Sequence, residues 1–218
     1  MKKKIEILAP AKDLIHGIAA INSGADAVYI GAPLYGARSN ATNSIEDVAK
    51  LVEYAHLFNV QVFVVVNTIL YDNELEDCRQ MIWKLYDIGV DALIVQDMSI
   101  MEMELPPIVL HASTQANNRD PHKIKFLKDA GMKRVVLARE LNLHQIKEIS
   151  EASDVELEFF VTGALCVSFS GNLYECCQWR TLCQPRFLCT KLSFALQPHR
   201  RSRRYFNQKQ SLAFHQGF

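Results

Sequence analysis

Side chains able to do chemistry recur in this chain at one kind of place, the far end of a short apolar run. Asn67 and Thr68 follow the run 62–66, Gln96 and Asp97 follow 92–95, His111 and Ser113 close the run that begins at Ile108 with Gln115 just beyond, and Arg139 and Glu140 follow 135–138. Amides offer paired donors and acceptors, and an imidazole titrates near neutrality. A guanidinium grips a carboxylate or phosphate through two parallel hydrogen bonds. Gathered at one mouth, these groups suit an anionic small molecule. Apart from them, Cys166 presents a thiol in a small-residue turn that begins at Gly163, after the alternating run 157–161.

Each residue also has a structural alternative. His111 taken singly fits a core imidazole, and adjacent Arg139 and Glu140 fit a solvated pair of little energetic value. Asp97 and Asn117 fit caps, as Asx residues after strands often are. Glu6 and Asp26, near the starts of two apolar runs, read as structural. What lifts the mouth residues above these alternatives is their shared position.

That position depends on the elements. Apolar runs at 5–9, 27–31, 60–67, 92–97, 108–113, 134–139 and 157–161 predict seven strands. Between them lie faces at helical spacing: Ile45, Val48, Leu51, Val52 and Ala55, introduced by a Ser44/Asp47 capping box; Leu75, Cys78, Met81, Ile82 and Leu85; Ile124, Phe126, Leu127 and Ala130; and Leu143, Ile146 and Ile149. Gly24, Asn59, Gly89 and Gly131 each precede a strand and read as left-handed helix ends. Near-continuous apolar strands alternating with amphipathic helices predict a parallel sheet covered on its outer face. No glycine-rich dinucleotide fingerprint follows the first strand. The expected fold is therefore α/β, a (β/α)8 TIM-barrel-like domain, incomplete at about seven βα units, with an irregular C-terminal tail and its site at the carboxyl ends of the strands.

The 218 residues suit one domain near the lower size limit of such a barrel. No apolar run approaches the roughly 20 residues of a membrane span, and residues 5–10 are too short for a signal-peptide core, so a cytoplasmic protein without a membrane partner is expected. The formal net charge of zero hides a division: residues 173–218 hold eight Lys or Arg against Glu175 alone, and residues 1–172 hold 16 basic against 23 acidic groups. Cys78 and Cys166 lie in the body, whereas Cys176, Cys177, Cys183 and Cys189 crowd the tail.

Several words in the body carry a resemblance: ILAPA at 7–11, GADAVYIGAP at 24–33, HASTQANN at 111–118, VLARELNL at 136–143 and FFVTGALCVSFSG at 159–171. Over residues 1–172 the chain resembles the peptidase U32 family, the collagenase-like proteases, and within it the branch that hydroxylates a cytidine of 23S ribosomal RNA, with a sister branch acting on transfer RNA. The resemblance implies an RNA pyrimidine hydroxylation enzyme linked to prephenate and to a [4Fe-4S] cluster, with ribosomal or transfer RNA as partner. It implies Cys166 as the first cluster ligand; for such a metabolite the strand-end residues are expected to serve as follows, Arg139 holding one of its carboxylates, His111 and Glu140 handling protons as catalytic residues, and Asn67, Gln96 and Gln115 binding substrate.

Beyond Asn172 the pattern fails. The other three cluster cysteines would fall on Leu173, Leu188 and Leu192, and Thr162 stands where the family usually has histidine. Taken as the last two bases of each codon with the first base of the next, the codons from Leu173 onward can spell YMSAASGGRSANRGSCAQNCRLPYNLIDA, which has the family's continuation with cysteines in place of Leu188 and Leu192, as the loss of two bases after Asn172 would produce. A frameshift is therefore expected, with residues 1–172 a truncated barrel domain and 173–218 an out-of-frame tail without evolved function. Such a chain would bind no cluster and be unstable, inactive or both, since a cubane needs about four converging thiolates. The Cys177, Cys183 and Cys189 spacing matches no familiar zinc pattern, and the basic run from Arg200 to Arg204 is explained by the frame shift.

Two other functions compete. A collagenase-like endopeptidase acting on a protein substrate would use Cys166 as nucleophile with His111 brought near, although no HExxH helix or GxSxG elbow is present. A barrel fragment that merely binds a metabolite or RNA is disfavoured by the acidic body, a poor attractor of phosphates.

Overall fold

A computed structural model describes residues 5–36, 43–163 and 170. Cys166, Gly171 and the whole of 173–218, on which the cluster-ligand and out-of-frame expectations fall, lie outside the described residues.

Seven parallel strands form one sheet in sequence order: β1 (Leu8–Ala11), β2 (Ala27–Gly31), β3 (Gln61–Val66), β4 (Ala92–Val95), β5 (Val109–Ala112), β6 (Arg134–Val136) and β7 (Glu156–Glu158). The intervening helices are α1 (Leu14–Asn22), α2 (Ile45–His56), α3 (Leu75–Asp87), the single turn α4 (Ser99–Glu102), α5 (Pro121–Asp129) and α6 (Leu143–Ala152). Strand alternation sends Val28, Ile30, Val62, Val64, Leu93, Val95 and Val135 outward into a core shared with Val48, Leu51, Val52, Ile82, Leu85, Ile124 and Ile149 of the helices. Ala27, Phe63, Ala92, Ile94 and Val136 form a second, smaller cluster on the other face. Both faces are thus buried, as a parallel sheet requires.

The sheet curls. Arg134, at the start of β6, bonds Glu6, which precedes β1, so the two ends of a seven-strand sheet approach each other at the amino ends of their strands. This is the curled, barrel-like α/β arrangement expected from the sequence.

Local signals explain the element ends. Ser44 accepts from the Asp47 amide and Asp47 from the Ser44 amide, completing the expected capping box of α2. Gly24, Gly89, Gly131 and Asn59 all have positive φ, between 56° and 112°, where helices give way to strands.

Several strand ends differ from expectation, β6 among them, which stops at Val136 rather than Arg139. β1 begins at Leu8 rather than Ile5, because Ile7 is bound sideways to Asp26: its amide donates to Asp26 Oδ2 at 3.0 Å and its carbonyl accepts from Asp26 and Ala27. Pro10 then falls inside β1, where an edge strand tolerates it. β7 stops at Glu158, and Phe159, Phe160 and Val161 are exposed. Phe126 and Leu143, counted toward helix faces, also point outward, because the buried stripe of α5 runs through Ile124 and Leu127 and that of α6 through Ile149. Among the described residues, no helix is long and apolar enough to cross a membrane.

Candidate functional site

The carboxyl ends of β3 to β6 carry the polar set. Asn67, just past β3, donates from Nδ2 to Ser113 Oγ at 3.4 Å, across the intervening β4, and Ser113 Oγ also accepts from the Gln115 amide at 3.3 Å. Gln96 follows β4 and is part-buried, as are Asn67 and Gln115. Asn67 and Ser113 are therefore brought together with the Gln115 backbone, and Gln96 follows the strand between them.

On the β6 side, Arg139 is part-buried, with its guanidinium carbon 5.2 Å from the Phe160 ring centroid. Phe160 thereby gives the cation an aromatic floor and limits its rotamers. Glu140 is turned to another use. Its Oε1 accepts from the Ser170 amide at 2.6 Å, and although burial works to raise its carboxyl, that hydrogen bond and the Arg119 charge leave it below the usual carboxylate range. Arg119 Nη2 donates to the Ser170 carbonyl at 3.4 Å, so Ser170 is held from both sides.

His111 lies deeper. It is 3% exposed on β5, packed edge-on against Phe63 with ring centroids 4.8 Å apart, and its Nδ1 is buried without a hydrogen-bond partner. Burial first, and the Arg134 charge second, push its pKa down to about 3. The imidazole is therefore neutral across the physiological range and offers hydrogen bonding rather than proton transfer.

The structural alternatives hold for two other residues. Asp97 accepts from the Leu70 amide at 2.8 Å and the Ser99 amide at 2.9 Å, fastening the β3 and β4 loops together. Asn117 has φ of 59° and accepts from Arg119 Nε at 2.6 Å.

Three residues were missed. Asn118 is fully buried, and its Nδ2 donates to the carbonyls of Ser113 at 2.8 Å, Val136 at 2.9 Å and Ala112 at 3.5 Å, locking the ends of β5 and β6 together beyond their last paired residues. Arg119 and Lys123 add positive charge on the same side. Burial and the neighbouring Arg119 lower the Lys123 pKa, and its Nζ donates to the Ala116 carbonyl. The second asparagine of the 111–118 word was the available signal for Asn118; nothing in the local sequence marks Arg119 or Lys123.

Among the described residues the only cysteine is Cys78, buried on α3 with its thiol pushed up to about 12 by burial, and it is no cluster ligand; Cys166 and the expected positions 173, 188 and 192 lie outside the described residues. Among the described residues, no group of three or more His, Cys, Asp or Glu side chains could hold a metal ion.

Residues 12–182 match the family model described as peptidase family U32. The chain belongs to peptidase family U32. Among U32 relatives, it is 55% identical over 171 residues to the 23S rRNA 5-hydroxycytidine C2501 synthase of Escherichia coli K12, covering 78% of this chain and 26% of that protein. It is 38% identical to the tRNA hydroxylation protein P1 of Bacillus subtilis 168, over 78% of this chain and 41% of the relative, and 41% identical to an uncharacterized protease of Methanocaldococcus jannaschii, over 80% and 44%. The chain thus spans between a quarter and a half of these three relatives. A solved U32 peptidase superposes with a TM-score of 0.61 at 17% identity, over 73% of this chain and 70% of that one. A putative lyase/mutase from Burkholderia cenocepacia reaches 0.52 at 12% identity, over 78% and 73%. These two likenesses show the fold alone.

Proposed function

We propose that this chain is the barrel portion of an RNA pyrimidine hydroxylation protein, and that its mouth binds the carboxylate-bearing metabolite, prephenate, on which the reaction draws. The observation that carries this reading is the high identity to a ribosomal RNA hydroxycytidine synthase across the very strands whose ends present Asn67, Gln96, Gln115 and Arg139. In this reading Arg139, steadied over Phe160, pairs with a carboxylate of the ligand. Asn67, Gln96 and Gln115 then hydrogen-bond its remaining oxygens. His111 enters as a neutral hydrogen-bonding group below the mouth, and Glu140 acts by positioning Ser170. Ribosomal or transfer RNA would be the acceptor, in the cytoplasm.

Hydroxylation itself is assigned to the parent protein rather than to these 218 residues. With leucine at 173, 188 and 192, the cluster implied by the family lacks three of its thiolates, which accords with a shifted reading frame. The peptidase reading has the protease-named relative in its favour. Against it, His111, the base that reading needs, is buried against Phe63 with its pKa pushed down to about 3 by burial and the Arg134 charge.

Calorimetric titration of the chain with prephenate tests the reading. Saturable binding that weakens by about tenfold or more in Arg139→Ala is expected, since a charge-assisted bidentate contact contributes roughly 1.5–3 kcal/mol. Binding unaffected by that substitution, or cleavage of a collagen-like peptide by the chain, would count against it.

A further inference from the structure

Arg139 lies past the end of β6 at Val136, and the pairing of β5 with β6 ends earlier still, covering only His111 with Arg134 and Ala112 with Val135. The chain that carries the guanidinium is therefore held by other means. On the β7 side the Leu137 amide donates to the Glu158 carbonyl at 2.8 Å. On the β5 side Asn118 holds it twice: Nδ2 donates to the Val136 carbonyl at 2.9 Å, and the Asn118 carbonyl accepts from the Ala138 amide at 3.1 Å. Ala138 is the residue before Arg139. The same Nδ2 donates to the Ser113 carbonyl at 2.8 Å, and Ser113 Oγ carries Asn67 Nδ2 and the Gln115 amide. One side-chain amide thus spans the two halves of the mouth.

We propose that Asn118 is a positioning residue of the mouth: its buried amide fixes Arg139 relative to the Asn67, Ser113 and Gln115 group, and so sets how tightly a carboxylate ligand is held between them. This rests on the reading of the mouth as a carboxylate site.

The amide suits that task because it has one orientation. Asn118 is fully buried, its Nδ2 faces three carbonyl oxygens, and its Oδ1 is buried and accepts from no donor among the described residues. Turning the amide over would set an oxygen against those three oxygens, so the donor side alone is held. Arg139, by contrast, is a long, part-buried side chain, and Phe160 limits its rotamers only if its backbone brings it over the ring. A ligand that bridges the guanidinium and the amides depends on the spacing between them, and a supporting shell loosened by about 1 Å is enough to weaken such a site.

The test reads Arg139 directly in the full chain. A proton above an aromatic ring resonates upfield, so the Arg139 Nε–H signal in a nitrogen–proton NMR spectrum should be displaced relative to Phe160→Leu. Asn118→Ala should remove about half of that displacement or more, and Asn118→Ser, which keeps one donor and serves should the alanine variant fail to fold, should remove less. Ile82→Val, a core lesion on α3, should leave it unchanged. In calorimetric titration with prephenate, Asn118→Ala should weaken binding about fivefold or more, but less than about twofold when Arg139 is already alanine, since the two act on one interaction. A displacement that persists in the folded Asn118 variants, that Ile82→Val reduces equally, or an Asn118 effect on affinity that is the same with and without Arg139 would overturn the proposal. Should the unsubstituted chain take up no prephenate, the carboxylate reading fails, and the Arg139 resonance still decides whether Asn118 positions it.

Discussion

His111 shows how a residue type can point to one chemistry and its surroundings to another. Its place on β5 made it a candidate proton carrier, yet burial against Phe63 and the neighbouring Arg134 charge deprive it of a proton near neutrality. Its imidazole resonances should therefore stay constant from pH 5 to 8 in an NMR titration. Because the folded-state pKa is lowered from 6.5 to about 3, its contribution to stability is complete above 6.5 and declines as pH falls toward 3, so urea midpoints should drop across that window and drop less in His111→Phe. Asn118 is the complementary case, an unremarked residue with a demanding position. Asn118→Asp places a carboxylate against three carbonyl oxygens and removes their shared donor, and should cost at least about 2 kcal/mol in urea unfolding. Neither environment was legible in the sequence, since both depend on which strands stand opposite each other. That Asn67, Gln96, Gln115 and Arg139 lie beyond the carboxyl ends of their strands was legible, because that place needs only strand assignment.

At the scale of elements, most of the architecture was readable. Four helix ends carry Gly or Asn where the chain must turn left-handed, and α2 opens on a reciprocal cap, so propensity and tertiary structure agree there. Ser44→Ala removes the side-chain half of that cap and should lower stability by about 1 kcal/mol, measured as a shift in urea midpoint at constant slope. Interior strands such as β6 end earlier than their apolar runs, and the two edge strands differ for reasons that lie outside them. The start of β1 moves because Asp26, nineteen residues away, takes the Ile7 amide, and β7 is short because exposed residues 159–161 are left outside the ladder. Hydrophobic alternation alone cannot report either, because both are set by what lies alongside rather than by the strand itself.

For the whole molecule, seven strands curl far enough for Arg134 to reach Glu6 across 128 positions of sequence. That contact explains how a sheet whose seven strands pair only with their sequence neighbours can present a concave mouth. It was not legible, because Arg134 reads as a polar strand start until Glu6, Glu156 and Glu158 converge on it. The U32 membership and a ribosomal RNA hydroxycytidine synthase at 55% identity support the proposal that the parent of this barrel hydroxylates an RNA pyrimidine; the proposal further holds that the tail from Leu173 deprives this chain of the activity. The most direct test is mass spectrometry of 23S ribosomal RNA from cells lacking their own synthase, supplied either with the gene as it stands or with its reading frame restored after Asn172. Hydroxycytidine should appear with the restored frame and be absent with the 218-residue chain. Hydroxycytidine made by the 218-residue chain, or none made by a stably produced restored protein, would contradict the account.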